Sequence, residues 1–186
     1  MERSHSITAT APDPRRSTTL GREPVDPAHR VSIRPIERSD APNLSIFYAD
    51  LSERSRRQRF LGATRPPTTE QIAGLVCAPG VVAVLADRGP RDGAIVGHAS
   101  IHPDGSGGGE AAFAVADELQ GHGLGAQLMA AILEHAHALG IHRLNADLYA
   151  DNVPMRRLLV HSGRALASDD IDTGIEEITL DLDRAA

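Results

Sequence analysis

The sequence contains no lysine, and all 19 basic residues of its 186 are arginine. No side-chain amine is therefore present to form a Schiff base, act as a base or accept self-modification. A GC-rich coding bias explains the pattern without invoking function. Tryptophan is absent and aromatics make up 3% of the chain, which removes the stacking platforms used by single-strand nucleic-acid binders. One cysteine, Cys77, excludes an internal disulfide framework and suits a reducing cytoplasm. It follows Ile72, Leu75 and Val76 and reads as a packed thiol rather than a nucleophile. No apolar run approaches the ~18 residues of a membrane span. Residues 1–30 lack a hydrophobic segment, so they are not read as a secretory signal. Their mixture of Pro, Ser, Thr and both charge signs reads as a disordered tail. The net charge of −6 argues against a nucleic-acid partner and provides a field that attracts cations. The expectation is a soluble, cytoplasmic protein without a membrane partner, its one domain covering residues 31–184.

With 41% apolar residues, the chain can build a core. Val31 to Ile36 alternates like a strand, and Ser39-Asp40 offers an N-cap to a helix carrying Leu44, Ile46, Phe47 and Leu51. An Arg-rich helix follows near 52–60, with Arg54, Arg56, Arg57 and Arg59 read as a solvated face. After Arg65-Pro66-Pro67, Thr68 or Thr69 caps a short helix. Strands are expected at 81–86, 94–101 and 110–116, joined by hairpin turns at 89–93 and 103–109. The strongest helical periodicity runs from Gly123 to Leu139, with a stop at Gly140. A strand at 143–149, a helix from Val153 to Ser162 with Asn152 as N-cap and Gly163 at its end, and strands at 165–167 and 175–182 complete the order. The fold class is α/β (α+β), a mixed, mostly antiparallel central sheet. The helix between the strands at 111–116 and 143–149 implies a parallel right-handed crossover.

The segment Gln120-Gly121-His122-Gly123-Leu124-Gly125-Ala126 places a glycine-rich loop between a strand and a helix. Glycines let consecutive backbone N–H groups turn toward one anion, and the helix N-terminus adds about half a positive charge. Such a loop can cradle a diphosphate, and Gln120 can brace it from its start. A plain glycine-rich connection is the alternative. A loose dinucleotide fingerprint, Gly121-x-Gly123-x-x-Ala126 with Asp147 downstream, is also present. Against it, Asp117 to Gln120 separate the first glycine from its strand, and most strands precede the motif as hairpins.

Residues 31–182 resemble the GNAT N-acetyltransferase superfamily. Gln120-x-x-Gly123-x-Gly125 matches that family's R/Q-x-x-G-x-G/A loop, and Asn152-Val-Pro-Met155-Arg-Arg-Leu158 through Gly163 matches its second helix. Two further features are similar to bacterial Pat-type protein lysine acetyltransferases. These are Leu51-Ser-Glu-Arg-Ser-Arg-Arg-Gln-Arg-Phe60, and Glu110 five residues before Val115, where that subgroup carries a catalytic glutamate. Relatives of that kind often carry further domains, for which this sequence leaves no room.

The resemblance implies a GNAT-like sheet with a splayed parallel strand pair and helices on both faces. Acetyl-CoA would be the co-substrate. Its pantetheine would pair with Phe113, Ala114 and Val115, and its diphosphate would rest on amides of Gly121, His122, Gly123, Leu124, Gly125 and Ala126. Asn152 would touch the pantetheine or adenosine end. Arg156 and Arg157 could meet the 3′-phosphate. Glu110 would be the general base of direct attack by an amine, with a protein lysine as the acceptor the subgroup implies, and the Val115 N–H would stabilise the oxyanion. Many relatives place a tyrosine where this chain has Leu159, which leaves the proton donor to the thiolate open. No metal site is assigned. His98 and His102 share a strand face, whereas His135 and His137 do not share a helix face. A non-catalytic acyl-CoA-binding module, a small-molecule amine acetyltransferase and a nucleotide-dependent oxidoreductase remain as alternatives.

Overall fold

A computed structural model describes residues 31–62, 65–89, 93–162, 165–171 and 174–183. Residues 1–30, part of the turn expected at 89–93, Gly163 and the last residue of the expected domain lie outside the described residues. The elements run β1 (Ser32–Pro35), α1 (Ala41–Asp50), α2 (Glu53–Phe60), α3 (Thr69–Val76), β2 (Val82–Asp87), β3 (Ile95–Pro103), β4 (Gly108–Val115), α4 (Leu124–Ala138), β5 (Arg143–Tyr149), α5 (Val153–His161), β6 (Ala165–Ile171) and β7 (Ile175–Asp181). One seven-stranded sheet has the order β1-β2-β3-β4-β5-β7-β6. Its neighbours are antiparallel except β4 and β5, which are parallel. No described helix is long and apolar enough to cross a membrane.

Helices cover both faces. On one, Leu128 of α4 lies close to Gly97 of β3; an added Cβ there would sit 2.9 Å from its Cδ1. Helix α5 docks beside α4 through Leu158, which a Cβ on Gly125 would meet at 3.4 Å. On the other face, Tyr48 of α1 reaches His98 of β3. The core between these layers holds Leu44, Leu85, Ile101, Leu124, Leu128, Ile132, Leu144 and Leu159, each with at most 1% exposure. Burying such side chains contributes about 1.5–3 kcal/mol each. Cys77 packs against this core, as does Phe60.

Local chemistry explains the helix ends. Thr68 caps α3 in a reciprocal box with Gln71, and Ser52 caps α2 by accepting from Ser55 N–H. Asp40 departs from expectation. It precedes α1 without a side-chain cap bond, because Arg34 donates to both its carboxylate oxygens at 2.7 and 2.8 Å. The Arg34 hydrogen bonds outweigh burial and hold the Asp40 carboxyl below its ordinary range. Arg34 also donates to Asp87 at 3.1 Å, tying β1, β2 and the start of α1 together. Strand β6 extends beyond the expected 165–167 to Ile171. Ser168-Asp169-Asp170 has turn composition, but these residues pair with β7 at the edge of the sheet, where acidic residues are tolerated.

Candidate active site

The site forms where β4 and β5 part. Their parallel register covers Gly108↔Arg143, Gly109↔Leu144 and Glu110↔Asn145 and stops there. Both strands nevertheless continue, to Val115 and Tyr149. A gap therefore opens beside residues 111–115, and Glu110 stands at its closed end. Ala116 N–H donates to Val96 at 2.9 Å. The alternation of an antiparallel ladder then turns Ala114 toward β3 and the backbone of Phe113 and Val115 toward the gap. Of the three residues expected to pair with pantetheine, Phe113 and Val115 thus present their polar groups to it.

At the open end, Gly121 and Gly123 adopt φ of +78° and +84°, a region costly for residues with a side chain. A Cβ on either would meet nothing within 4 Å, so the loop is open to its surroundings. Leu124 begins α4 immediately after Gly123. Residues 121–125 therefore hold their amides at the loop and first helical turn, where donors lack intrahelical partners. Ala126 N–H already donates to Gly123 O at 3.1 Å, which narrows the expected cradle to residues 121–125.

Gln120 braces the loop as its position suggests. Its Nε2 donates to Val115 O and Ser55 Oγ, each at 3.1 Å. His122 turns back on the same loop, its Nδ1 2.9 Å from Gln120 O. Ser52 and Ser55, the serines of the Pat-like segment, bind Asp117. The Ser52 N–H and Oγ donate at 2.8 Å and Ser55 Oγ at 2.6 Å. Burial pushes the Asp117 carboxyl up, but these hydrogen bonds outweigh it and set it below the ordinary range. Helix α2 is thereby fastened to the loop that precedes the glycines.

Other expected residues are engaged differently. Asn152 caps α5, accepting from Met155 N–H at 3.3 Å. Arg156 donates through Nε to both oxygens of Glu176 at 3.0 and 3.1 Å, so its guanidinium is committed on one edge. Leu159 is fully buried. The arginines of α2 are more than a solvated face. Arg57 lies 4.0 Å over the ring of Tyr149 at the end of β5, a cation–π contact across the gap. Arg59 turns inward and donates to Ser100 at 3.3 Å.

Arg59 belongs to a polar row that residue-by-residue reading missed. His98, Ser100 and His102 occupy alternate positions on β3, so they share one face. Across the ladder their partners are Ala114, Ala112 and Glu110. His98 is fully buried, its Nδ1 2.8 Å from Tyr48 Oη. Burial first, then Arg59 and His102, push the His98 imidazole well below 6.5, so it is neutral at physiological pH. Arg59 Nε and His98 Nε2 are buried without a hydrogen-bond partner among the described residues. The period-two run of His98, Ser100 and His102 was the sequence signal for this row. No group of three metal-ligating side chains assembles among the described residues.

Two hollows of about 470 Å³ each are also present, the first reaching Asn145, the register partner of Glu110. One is polar and lies at the starts of β4 and β5, around Asp104, His142 and Arg143. The other is a largely apolar groove between α4 and α5, lined by Met129, Leu133 and Leu158. Neither brings amide donors together as the glycine loop does. The parted strands form an open cleft rather than an enclosed cavity.

Comparison with known proteins agrees with this geometry. The model of the acetyltransferase (GNAT) family matches residues 48–163, more than half of the chain. Acetyltransferase Pat of Mycolicibacterium smegmatis is 35% identical over 69 residues, a span of 37% of this chain and 21% of that protein. The chain thus matches about a fifth of that relative's length. Among solved structures, the GNAT domain of S. lividans PAT superposes with a TM-score of 0.70 at 23% identity, covering 81% of this chain and 90% of that one. The Salmonella typhimurium protein yncA, solved with its cofactor acetyl-CoA, gives 0.67 at 20% identity over 84% and 96%. A phosphinothricin acetyltransferase from Sinorhizobium meliloti, solved with acetyl-CoA, gives 0.62 at 16% identity over 81% and 86%. At these identities the structural likenesses speak for the fold, and with the family match spanning both the glycine loop and α5, the chain belongs to the acetyltransferase (GNAT) family.

Proposed function

We propose that this chain transfers the acetyl group of acetyl-CoA to an amine, with Glu110 as general base. The observation that carries the reading is the arrangement of the gap. It has a glycine loop and helix N-terminus at its open end and a carboxylate at its closed end. The diphosphate binds the amides of residues 121–125, which are aimed by backbone geometry rather than by flexible side chains. Pantetheine then lies along β4, meeting the polar groups of Phe113 and Val115, with the amide of the Asn152 side chain near its far end.

An amine is protonated near neutral pH and must lose a proton to attack. Glu110 accepts that proton directly or through one water. The amine nitrogen bonds to the thioester carbon, and the resulting oxyanion is held by the Val115 N–H. Such a donor contributes about 3 kcal/mol. The C–S bond then breaks, the coenzyme leaves as thiolate, and the nitrogen's surplus proton passes to that thiolate or to water, giving the neutral amide.

We infer a protein lysine as acceptor. The Pat-like segment supports it, as does the short stretch of identity to a protein named Pat. The sheet face around Glu110 also supports a cationic acceptor. Asp147 and Glu177, paired across β5 and β7, share that face with Glu110, and the whole chain carries −6. A small amine is the competing acceptor. Thiol release from acetyl-CoA, measured over lysine-containing peptides and small amines, decides between them. Release with peptides at kcat/KM at least about tenfold above that with small amines is expected. The reverse order assigns a small-molecule acceptor, and no release with any amine sinks the catalytic reading.

A further inference from the structure

The assignment of Glu110 leaves a chemical question: where does the proton go next? An imidazole beside the carboxylate can take that proton up and pass it to water. We propose that His102 relays the acceptor's proton from Glu110 to solvent, making the catalytic base a carboxylate–imidazole pair. This rests on the reading of Glu110 as base.

The geometry carries the proposal. His102 and Glu110 are direct partners in the β3–β4 register. Directly opposed residues of an antiparallel pair point to the same face, with Cβ atoms about 4.5–5.5 Å apart. That face lies beneath α1 and α2, and Glu110 stands where the β4–β5 pairing ends. Glu110 is exposed where an acceptor ammonium would cover it, and His102 beside it is half-buried, so part of its ring still meets water.

The charged neighbours come from three elements. Arg59 approaches from α2, Glu110 from β4, and His98 from β3 itself. Val82 to Ala86 of β2 carry no titratable side chain. Burial, and after it Arg59, push the His102 imidazole below 6.5, while Glu110 pulls it up. His102 is therefore neutral and receptive at pH 7 and above. The steps balance. The ammonium N–H bond breaks as a Glu110 O–H bond forms, that bond breaks as an imidazole N–H bond forms, and the imidazolium returns its proton to water.

A purely structural His102 would leave the first of two readouts unmoved, and the second tests the Glu110–His102 proximity that the relay needs. The first is the pH profile of thiol release at saturating acetyl-CoA. The wild-type protein is expected to lose activity below a limb lying under pH 6.5. In His102→Gln that limb should shift, turnover at pH 8 should fall by about 10²-fold, the lower end of the range for a positioned acid or base, and the KM for acetyl-CoA should hold. The second is the His102 imidazole titration followed by NMR, which needs no activity and no His102 variant. Its midpoint is expected to fall in Glu110→Gln, because the pull of the carboxylate is removed. An unchanged limb and turnover in His102→Gln, or equal NMR midpoints with and without Glu110, overturns the relay. If Glu110→Gln is inactive while His102→Gln matches wild type, the relay alone falls. If Glu110→Gln keeps full turnover, the base assignment falls and the relay falls with it.

Discussion

Glu110→Gln is expected to lower turnover by roughly 10²–10⁴-fold, the range supplied by a positioned acid or base, with acetyl-CoA affinity unchanged. Gln is isosteric and neutral, so it removes the proton acceptor while keeping the shape. Glu110 lies at the last paired position of β4 and β5, with Asn145 beside it and His102 across from it. The glycine loop lies beyond the opposite end of β4, so the change should not reach the diphosphate. Single-turnover acetyl transfer at pH 8 and a coenzyme titration on the same variant provide the check. Wild-type turnover removes Glu110 from the chemistry. A matching loss of affinity makes its role one of binding.

Gly123→Asp is expected to weaken acetyl-CoA binding by about 10²-fold or more while the protein stays folded. Two effects of the substitution act in opposite directions. Gly123 has φ +84°, and a residue with a side chain pays on the order of 1 kcal/mol in that region. Aspartate tolerates it better than most and is a favoured N-cap residue beside the positive end of a helix. The added Cβ meets nothing within 4 Å, so stability changes little. A carboxylate placed at the proposed diphosphate site would repel it, by about 4 kcal/mol per charge pair at 4 Å and an effective dielectric of 20. Calorimetric titration beside a thermal melt separates the two effects. Retained affinity in a folded variant argues against the cradle.

The parts of the molecule legible in the sequence are those where backbone chemistry admits few residues. Gly121 and Gly123 are glycines because their φ values are positive. Gly125 lies under Leu158, which an added Cβ would meet at 3.4 Å. Strand β5 occupies the expected range, and the capping of α3 by Thr68 and of α5 by Asn152 follows from side-chain oxygens that bind helix amides. Long-range partnerships were not legible. Asp40 has the composition of a cap, but an arginine six residues away takes its carboxylate. Arg54, Arg56, Arg57 and Arg59 look equivalent in a string of arginines. Only the folded chain turns Arg59 toward Ser100 and lays Arg57 on Tyr149. Ser52 and Ser55 could be recognised as part of a motif, yet their purpose emerges only when Asp117, more than sixty residues later, comes to them.

These observations give the two ends of the cleft different physics. On the proposed reading, the loop end would bind through fixed backbone dipoles, and the closed end would work through proton transfer at Glu110. Variants at one end should therefore change affinity and leave the proton inventory alone, and variants at the other should do the reverse.

The most direct test is a crystal structure of the protein with acetyl-CoA. The diphosphate is expected within hydrogen-bonding distance of the amides of residues 121–125, and the thioester beside β4 between Val115 and Glu110. A coenzyme seated instead in the groove between α4 and α5, with those amides turned away from it, would contradict the account.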